Sequence, residues 1–401
     1  MKFNKWTLGL AAAGIVTLPS LTQATSPVMV QTVAENTTLT GYVDTSAQWN
    51  SGNGNGNNAP IAFNGENKAD GFNLNVVDIA LDKPLDETPW AAGYHAELWL
   101  GPDANTLATQ SNGNQADFAI RQAYVALRTP IGNGIDWKIG VFDTILGYES
   151  TSSPNNPNFT RSYGYTIEPT TATGFLATYK FCDEVSASAG IANTMGPQIN
   201  QRNTFGQNEQ TKAYMGSITV TAPQNWGWLA GSSMTTAIMH GWTPSTMPAE
   251  GTFPGDITSV YTGVTLSTPV TGLKVGAAFD YRHVDDSSQF LVDEGDGDTF
   301  VYGLYASYQA TEKLSLHVRG ELMIDKATQF QDTSDLSGNP NTYKSYELTL
   351  TAQYDLWKNV LSRVEFRWDH ADTSKYYGGS SVGSPVQNQA WMLAANVIYK
   401  F

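Results

Sequence analysis

Residues 388–401 read Asn-Gln-Ala-Trp-Met-Leu-Ala-Ala-Asn-Val-Ile-Tyr-Lys-Phe. Counting back from Phe401 in steps of two gives Tyr399, Val397, Ala395, Leu393 and Trp391 on one side, with Lys400 and Asn396 on the other. A period of two belongs to an extended strand, whose side chains alternate between faces. One face is apolar and ends in an aromatic pair, while the other still carries Lys and Asn. That division suits the wall of a membrane β-barrel with a wet interior. An open sheet edge inside hydrocarbon would leave backbone groups unpaired, so this last strand must close against the first.

The same alternation recurs upstream. Leu314, Leu316, Val318, Leu322 and Ile324 oppose Ser315, His317, Arg319, Glu321 and Asp325. Tyr346, Leu348, Leu350, Ala352, Tyr354 and Leu356 oppose Glu347, Thr349, Thr351, Gln353 and Asp355. Val364, Phe366 and Trp368 oppose Arg363, Glu365, Arg367 and Asp369, and Leu273, Val275, Ala277, Phe279 and Tyr281 oppose Lys274, Asp280 and Arg282. A helix would scatter these sets around its circumference. Weaker strands at similar spacing are expected over residues 37–50, 71–81, 90–100, 117–128, 135–142, 171–181, 185–193, 213–221, 228–240, 259–267 and 300–308. The total is about sixteen, and an even count places both ends of the barrel on the periplasmic side. Connections alternate between short, as at 83–89, 129–134, 182–184, 222–227 and 268–272, and long, as at 51–70, 149–169, 196–211, 241–257 and 371–387. The fold class is therefore all-β: a closed antiparallel transmembrane β-barrel with short periplasmic turns and long extracellular loops. A soluble sandwich or propeller would show more even turns or a repeated blade motif, and neither is present.

At the other end of the chain, Lys2 and Lys5 precede a mostly apolar run from Trp6 to Leu18, then Pro19 and Thr22-Gln23-Ala24. This is the pattern of a cleaved signal peptide over 1–24, followed by a periplasmic lead over 25–36 and the barrel over 37–401. No stretch approaches ~18 uninterrupted apolar residues, so helical spanning is excluded. Mean hydropathy is negative, as expected where each lipid-facing residue is followed by a lumen-facing one. The formal net charge of −15 and the lack of a basic stripe disfavour a nucleic-acid partner. Cys182 is the one cysteine, so neither an intrachain disulfide nor a Cys-based metal site is expected.

The five histidines, His95, His240, His283, His317 and His370, fall on or beside different strands. There is no His-x-x-x-His spacing and no Gly-x-Ser-x-Gly elbow. No catalytic residue, cofactor or metal is assigned. Asp285, Asp286, Asp293, Glu294, Asp296 and Asp298 crowd one exterior loop, but their spacing is not that of an EF-hand and they read as a solvated acidic rim rather than a Ca²⁺ site.

The expected pore-lining face carries both signs: His95, Glu97, Lys274, Asp280, Arg282, His317, Arg319, Glu321, Glu347, Arg363, Glu365 and Arg367. Opposed rows of this kind hold a transverse field across water and favour small polar solutes. The third long loop supplies the expected constriction residues Glu149, Asn155, Asn156, Asn158, Arg161, Tyr163 and Glu168, by analogy with sixteen-strand porins whose third loop folds inward. Arg121 and Gln122 are adjacent on one strand, so strict alternation turns one of them outward. An outward polar residue hints at a subunit contact and makes a homotrimer the assembly to test.

By these residues the chain resembles a family, the OmpL-like β-barrel porins of Gram-negative outer membranes. The resemblance rests on Arg121-Gln122-Ala123-Tyr124-Val125, on Gly140-Val141-Phe142, on Gly147-Tyr148-Glu149 and on Asn158-Phe159-Thr160-Arg161-Ser162-Tyr163, with Gly41-Tyr42-Val43-Asp44 similar to the first strand. It covers residues 39–180. The carboxy-terminal Phe401 looks like the signal by which the barrel assembly machinery recognises its clients. The resemblance implies a bacterial outer-membrane location, contact with outer-membrane lipid, and passive diffusion of small hydrophilic solutes or ions. The carboxylate excess leans the channel toward cations, and the Arg rows can reverse this locally. Two other readings stay open: a closed-lumen barrel acting as adhesin, receptor or structural anchor, and a barrel hydrolase.

Overall fold

The computed structural model describes residues 28–29, 36–50, 70–107, 117–202, 211–242, 256–285, 297–326, 342–372, 377–378 and 386–401. The expected leader over 1–24 lies outside them, as do Asp286, Asp293, Glu294 and Asp296 of the acidic loop.

A two-residue strand, β1 (Val28–Met29), is followed by β2 (Thr38–Asn50), β3 (Gly71–Lys83), β4 (Ala92–Leu100), β5 (Phe118–Thr129) and β6 (Ile135–Asp143). Then come β7 (Thr171–Lys180), β8 (Val185–Ala192), β9 (Ala213–Thr221), β10 (Ser233–Trp242), β11 (Asp256–Ser267) and β12 (Leu273–Asp285). The last five are β13 (Gly297–Gln309), β14 (Leu314–Asp325), β15 (Tyr343–Trp357), β16 (Val360–Ala371) and β17 (Gln389–Lys400). From β2 to β17 each strand pairs antiparallel with the next, and β17 returns to β2, so sixteen strands close a ring.

Closure is made by the stretch that opened the sequence reading. Met392 lies opposite Asn50 and Lys400 opposite Tyr42. Beyond them Gly41 N donates to Phe401 O at 3.0 Å and Phe401 N donates to Gly41 O at 2.9 Å. Gly41 is a residue of close approach, because a Cβ there would run into Asp78 O and the Phe401 ring. The terminal aromatic thus packs across the seam it completes.

Burial is inverted relative to a soluble protein, as a barrel in lipid requires. Along β15, Tyr346, Leu348 and Leu350 are 38–44% exposed, while the intervening Glu347, Thr349 and Thr351 are 0–3% exposed. The inner and outer faces read from the period-two pattern on β12, β14, β15, β16 and β17 agree with this alternation.

Two departures are local. The expected strand over 228–240 starts later, at Ser233, because Gly227–Leu229 form a short 3₁₀ turn. Gly227 and Gly231 have φ of +60° and +76°, which end any extended run before Ser232. The second departure overturns the expectation that Arg121 or Gln122 faces outward. Glu97 pairs with Gln122 and Leu98 with Ile120, leaving Arg121 as the extra residue of a β-bulge. A bulge places two successive side chains on one face. Arg121 is 1% exposed and bonded to Asp143, while Gln122 Nε2 donates to Glu97 Oε2 at 3.0 Å. The hint of a subunit contact drawn from this pair is withdrawn.

The inner wall is divided by charge. On β8–β11 its side chains are Ser, Thr, Gly, Ala, Met, Ile and Tyr, from Ser186 and Ser188 on β8 to Tyr261 and Thr265 on β11. The charged positions fall on the rest of the ring, most densely on β14–β16.

Candidate pore constriction

The connection between β6 and β7, residues 144–170, turns inward. It contains a 3₁₀ turn, Ser153–Asn155, and a short helix, Tyr163–Ile167, whose first turn is capped by Ser162 Oγ accepting from Tyr165 N at 3.0 Å. Irregular chain inside a barrel must still satisfy its buried amides and carbonyls. Here wall side chains do so. Glu365 accepts from Phe159 N at 2.5 Å and Thr160 N at 3.0 Å. Glu321 accepts from Tyr163 N at 2.6 Å and Gly164 N at 3.3 Å. Arg363 Nη2 donates to Ser153 O at 3.0 Å and Asn156 O at 2.6 Å, Arg367 Nη1 to Arg161 O at 2.6 Å, and Arg319 Nη1 to Thr160 O at 3.1 Å. Five charged side chains on β14 and β16 thereby hold four amides and four carbonyls of one loop.

The charges also balance one another. Arg319 lies 2.7 Å from Glu149, 3.1 Å from Glu347 and 3.8 Å from Glu321, and Arg367 lies 2.8 Å from Asp369. A buried guanidinium with several carboxylates in contact is tolerated because each keeps hydrogen-bond partners; removing one partner leaves the others uncompensated. Tyr163 adds a further tie, its hydroxyl donating to Asp369 Oδ1 at 2.6 Å beneath the Arg367 guanidinium. At the far side Ser153 Oγ donates to Asp44 Oδ2 at 2.6 Å on β2.

The returning limb of the loop rests on a carboxyl pair. Glu168 is hydrogen-bonded to Asp280 of β12. Gly164 leaves room for Asp280 and Gly147 for Glu168, since a Cβ at either would strike the carboxylate. Burial, and then the nearby charge of Asp280, push the Glu168 carboxyl well above the ordinary carboxylate range, with Glu149 and Glu321 adding to the effect. The outgoing limb is set by Tyr148, stacked on Tyr305 with ring centroids 4.1 Å apart and bonded through its hydroxyl to Thr265 at 3.1 Å.

Of the sequence-predicted loop residues, Glu149, Asn158, Arg161 and Tyr163 meet Arg319, Glu321, Glu347, Arg363, Glu365 and Arg367 in one buried cluster. Asn156 braces the loop internally, accepting from Ser150 N at 2.7 Å, and Asn155 is exposed. Arg161 donates to Phe159 O and Thr151 O. His317 bonds Ser307 through Nδ1 at 2.8 Å. Glu97 belongs to a second cluster with His95, Asp78, Trp99 and Gln122. Lys274 and Arg282 face the lumen away from both. At the level of the loop, Arg319, Glu347, Glu365 and Arg367 are 0–3% exposed; Arg319, Glu365 and Arg367 bond the loop itself, and Glu347 bonds Arg319. Toward the short turns the inner wall becomes partly exposed at Lys138, Thr178, Ser188, Ser217, Lys274, Gln353, Asp355 and Lys400, forming a vestibule. The expected site residues did not include Asp44, Asp369, Tyr148 or Thr160, although Asp369 was read on the inner face, and the grip of the wall charges on backbone was missed.

A closed sixteen-strand antiparallel barrel whose third long loop is bound along its inner wall has the architecture of an outer-membrane porin. Residues 36–401 match the family described as "Putative beta-barrel porin-2, OmpL-like", and the chain belongs to that family of the bacterial outer membrane. The match runs well past the 39–180 stretch that carried the resemblance. Among solved structures the fold is similar to an anion-selective porin from Comamonas acidovorans, at 14% identity and a TM-score of 0.62 over 91% of this chain and 99% of that one. It is also similar to the outer membrane channel DcaP of Acinetobacter baumannii (14% identity, TM-score 0.60, 91% and 97% covered). A third likeness is to the trimer form of OmpT, an outer membrane protein of Vibrio cholerae (13% identity, TM-score 0.57, 91% and 99% covered). No curated protein sequence matches.

Proposed function

We propose that the barrel is a narrow passive channel for small hydrophilic solutes or ions, with the bound third loop setting the size of what passes. The observation that carries this reading is the attachment of residues 153–164 to β14 and β16 by charged side chains, which holds an irregular segment inside the barrel in one position. The vestibule below the loop supports it, its wall carrying small hydroxyl side chains on β8 and β9 together with Lys274, Lys400 and Lys138. Purified protein in a planar bilayer should give stepwise current. A persistently silent bilayer, with the protein shown to be folded, would refute the channel.

One observation favours a second reading. The Arg and Glu rows of β14–β16 are almost fully buried, which also suits a closed lumen whose exterior loops do the work of an adhesin, receptor or anchor. The silent bilayer would select that reading. The trimeric form recorded for the OmpT relative supports a homotrimer here, and sedimentation in detergent tests it. The packing of Phe401 across the closing seam supports its role as the residue presented to the assembly machinery.

A further inference from the structure

Where the third loop meets the wall, three buried side chains each carry a nitrogen that has no hydrogen-bond partner among the described residues: Arg363 Nη1, His317 Nε2 and Asn158 Nδ2. The residues are 1%, 3% and 1% exposed. They gather around Thr351. His317 of β14 lies directly opposite Thr351 of β15. Asn158 Oδ1 shares the Thr351 hydroxyl proton with Glu365 Oε2, at 2.9 and 2.8 Å, which turns the Asn158 NH₂ group away. Glu365 lies opposite Thr351 on β16, and Arg363 sits two residues before it on the same inner face. Arg363 is the charged group that acts on His317.

The other atoms of the three residues are committed. Arg363 Nε donates to Gln353 Oε1 at 3.1 Å and Nη2 donates to two loop carbonyls. Unlike Arg319 and Arg367, Arg363 has no carboxylate within 4 Å among the described residues, so its charge is met by neutral acceptors. His317 Nδ1 is 2.8 Å from Ser307 Oγ; with the Ser307 hydroxyl donating, Nε2 bears the proton. Nearby carboxylates are turned elsewhere: Glu365 accepts from Phe159 N, Thr160 N and Thr351, and Asp44 accepts from Ser153, Asn75 and Asn396.

We infer that Arg363, His317 and Asn158 form a binding site for a small inorganic anion of halide size, seated between the third loop and the β14–β16 wall. Buried donors left without acceptors are costly, and three of them, one cationic, call for an acceptor that takes more than two hydrogen bonds. Water has two lone pairs and must also place its own protons, whereas a halide accepts from all sides and offsets the Arg363 charge. This site goes beyond the channel reading and does not require the lumen to conduct.

The test uses the full-length barrel folded in detergent. Crystals soaked in sodium bromide should show an anomalous peak within hydrogen-bonding reach of Arg363 Nη1, His317 Nε2 and Asn158 Nδ2. Independently, the unfolding temperature should be higher in sodium chloride than in sodium gluconate of equal ionic strength. His317→Phe and Asn158→Ala each remove one donor without touching the Arg363 grip on the loop, and each should raise the half-maximal chloride concentration roughly tenfold, the effect of one hydrogen bond to a charged group. A bromide map with no peak there, equal stabilisation by chloride and gluconate, or stabilisation by inorganic phosphate alone would each overturn the assignment. If a variant fails to fold, the bromide map of the unaltered protein still decides.

Discussion

Replacing Glu365 with Ala removes the acceptor for two adjacent loop amides, Phe159 N at 2.5 Å and Thr160 N at 3.0 Å, and for the Thr351 hydroxyl at 2.8 Å. Hydrogen bonds to a charged group contribute about 1.5–3 kcal/mol each, so the two amide bonds together give about 3–6 kcal/mol of docking. Water entering the vacated space recovers part of this, and about 4 kcal/mol is a reasonable net loss, equivalent to roughly a thousandfold change in the docked-to-released ratio. Arg363, Arg367 and Glu321 still hold the flanks. Arg319 still holds Thr160 O and Arg367 still holds Arg161 O, so the expected result is local loosening around Phe159 with the barrel intact. Single-channel conductance should rise, and liposome swelling should admit larger sugars than the unaltered protein does. The folded state is checked by its heat-modifiable migration on gels. Conductance and size limit both unchanged in a folded Glu365→Ala protein would refute the idea that the wall carboxylates position the constriction.

Four further outcomes follow from the same geometry. In the docked loop, burial and the charges of Asp280, Glu149 and Glu321 raise the Glu168 carboxyl above its ordinary range. The docked form therefore binds a proton that the released form gives up in the ordinary carboxylate range, and docking weakens as pH rises from that range toward the raised value. Protease cleavage within residues 144–170 should increase with pH across that interval, and Glu168→Gln should flatten the dependence; an unchanged slope in the variant would assign it elsewhere. Gly41→Ala forces a methyl group against Asp78 O and the Phe401 ring and should cost about 1–3 kcal/mol, seen as a lower temperature for loss of the folded gel band. Lys274→Glu reverses a partly exposed lumen-facing charge that makes no ion pair within 4 Å among the described residues, so the reversal potential in asymmetric salt should move toward cations. Arg319→Met strands Glu149 and Glu347 without their buried partner and should destabilise the barrel by about 3–5 kcal/mol, read by urea unfolding in detergent.

Strand positions were legible because lipid on one side and a polar interior on the other impose a strict period of two, most clearly from Leu273 onward. The same rule failed where the ladder is interrupted. Counting by twos turned Arg121 or Gln122 outward, yet a bulge turns both inward, and nothing in Ala-Ile-Arg-Gln-Ala announces the extra residue. The start of β10 was placed early because Trp228 and Leu229 mimic an apolar strand face while Gly227 and Gly231 set a turn. The third loop was identified as the one of interest, and its Glu149, Asn158, Arg161 and Tyr163 do gather with the wall charges. What the wall charges hold was not legible. Their partners are backbone groups some 160–210 positions away, and a peptide amide leaves no mark on the residue type that carries it.

The most direct measurement places a cysteine in the loop and watches current. Thr166 is a partly exposed residue of the short loop helix, and the exposed native thiol Cys182 is first removed as Cys182→Ser. Adding a charged thiol reagent to a bilayer containing Thr166→Cys channels should reduce the current in discrete steps, while Cys182→Ser alone stays unaffected. Steady current in the Thr166→Cys protein, with mass spectrometry showing the thiol fully modified, would mean that solutes do not pass the third loop.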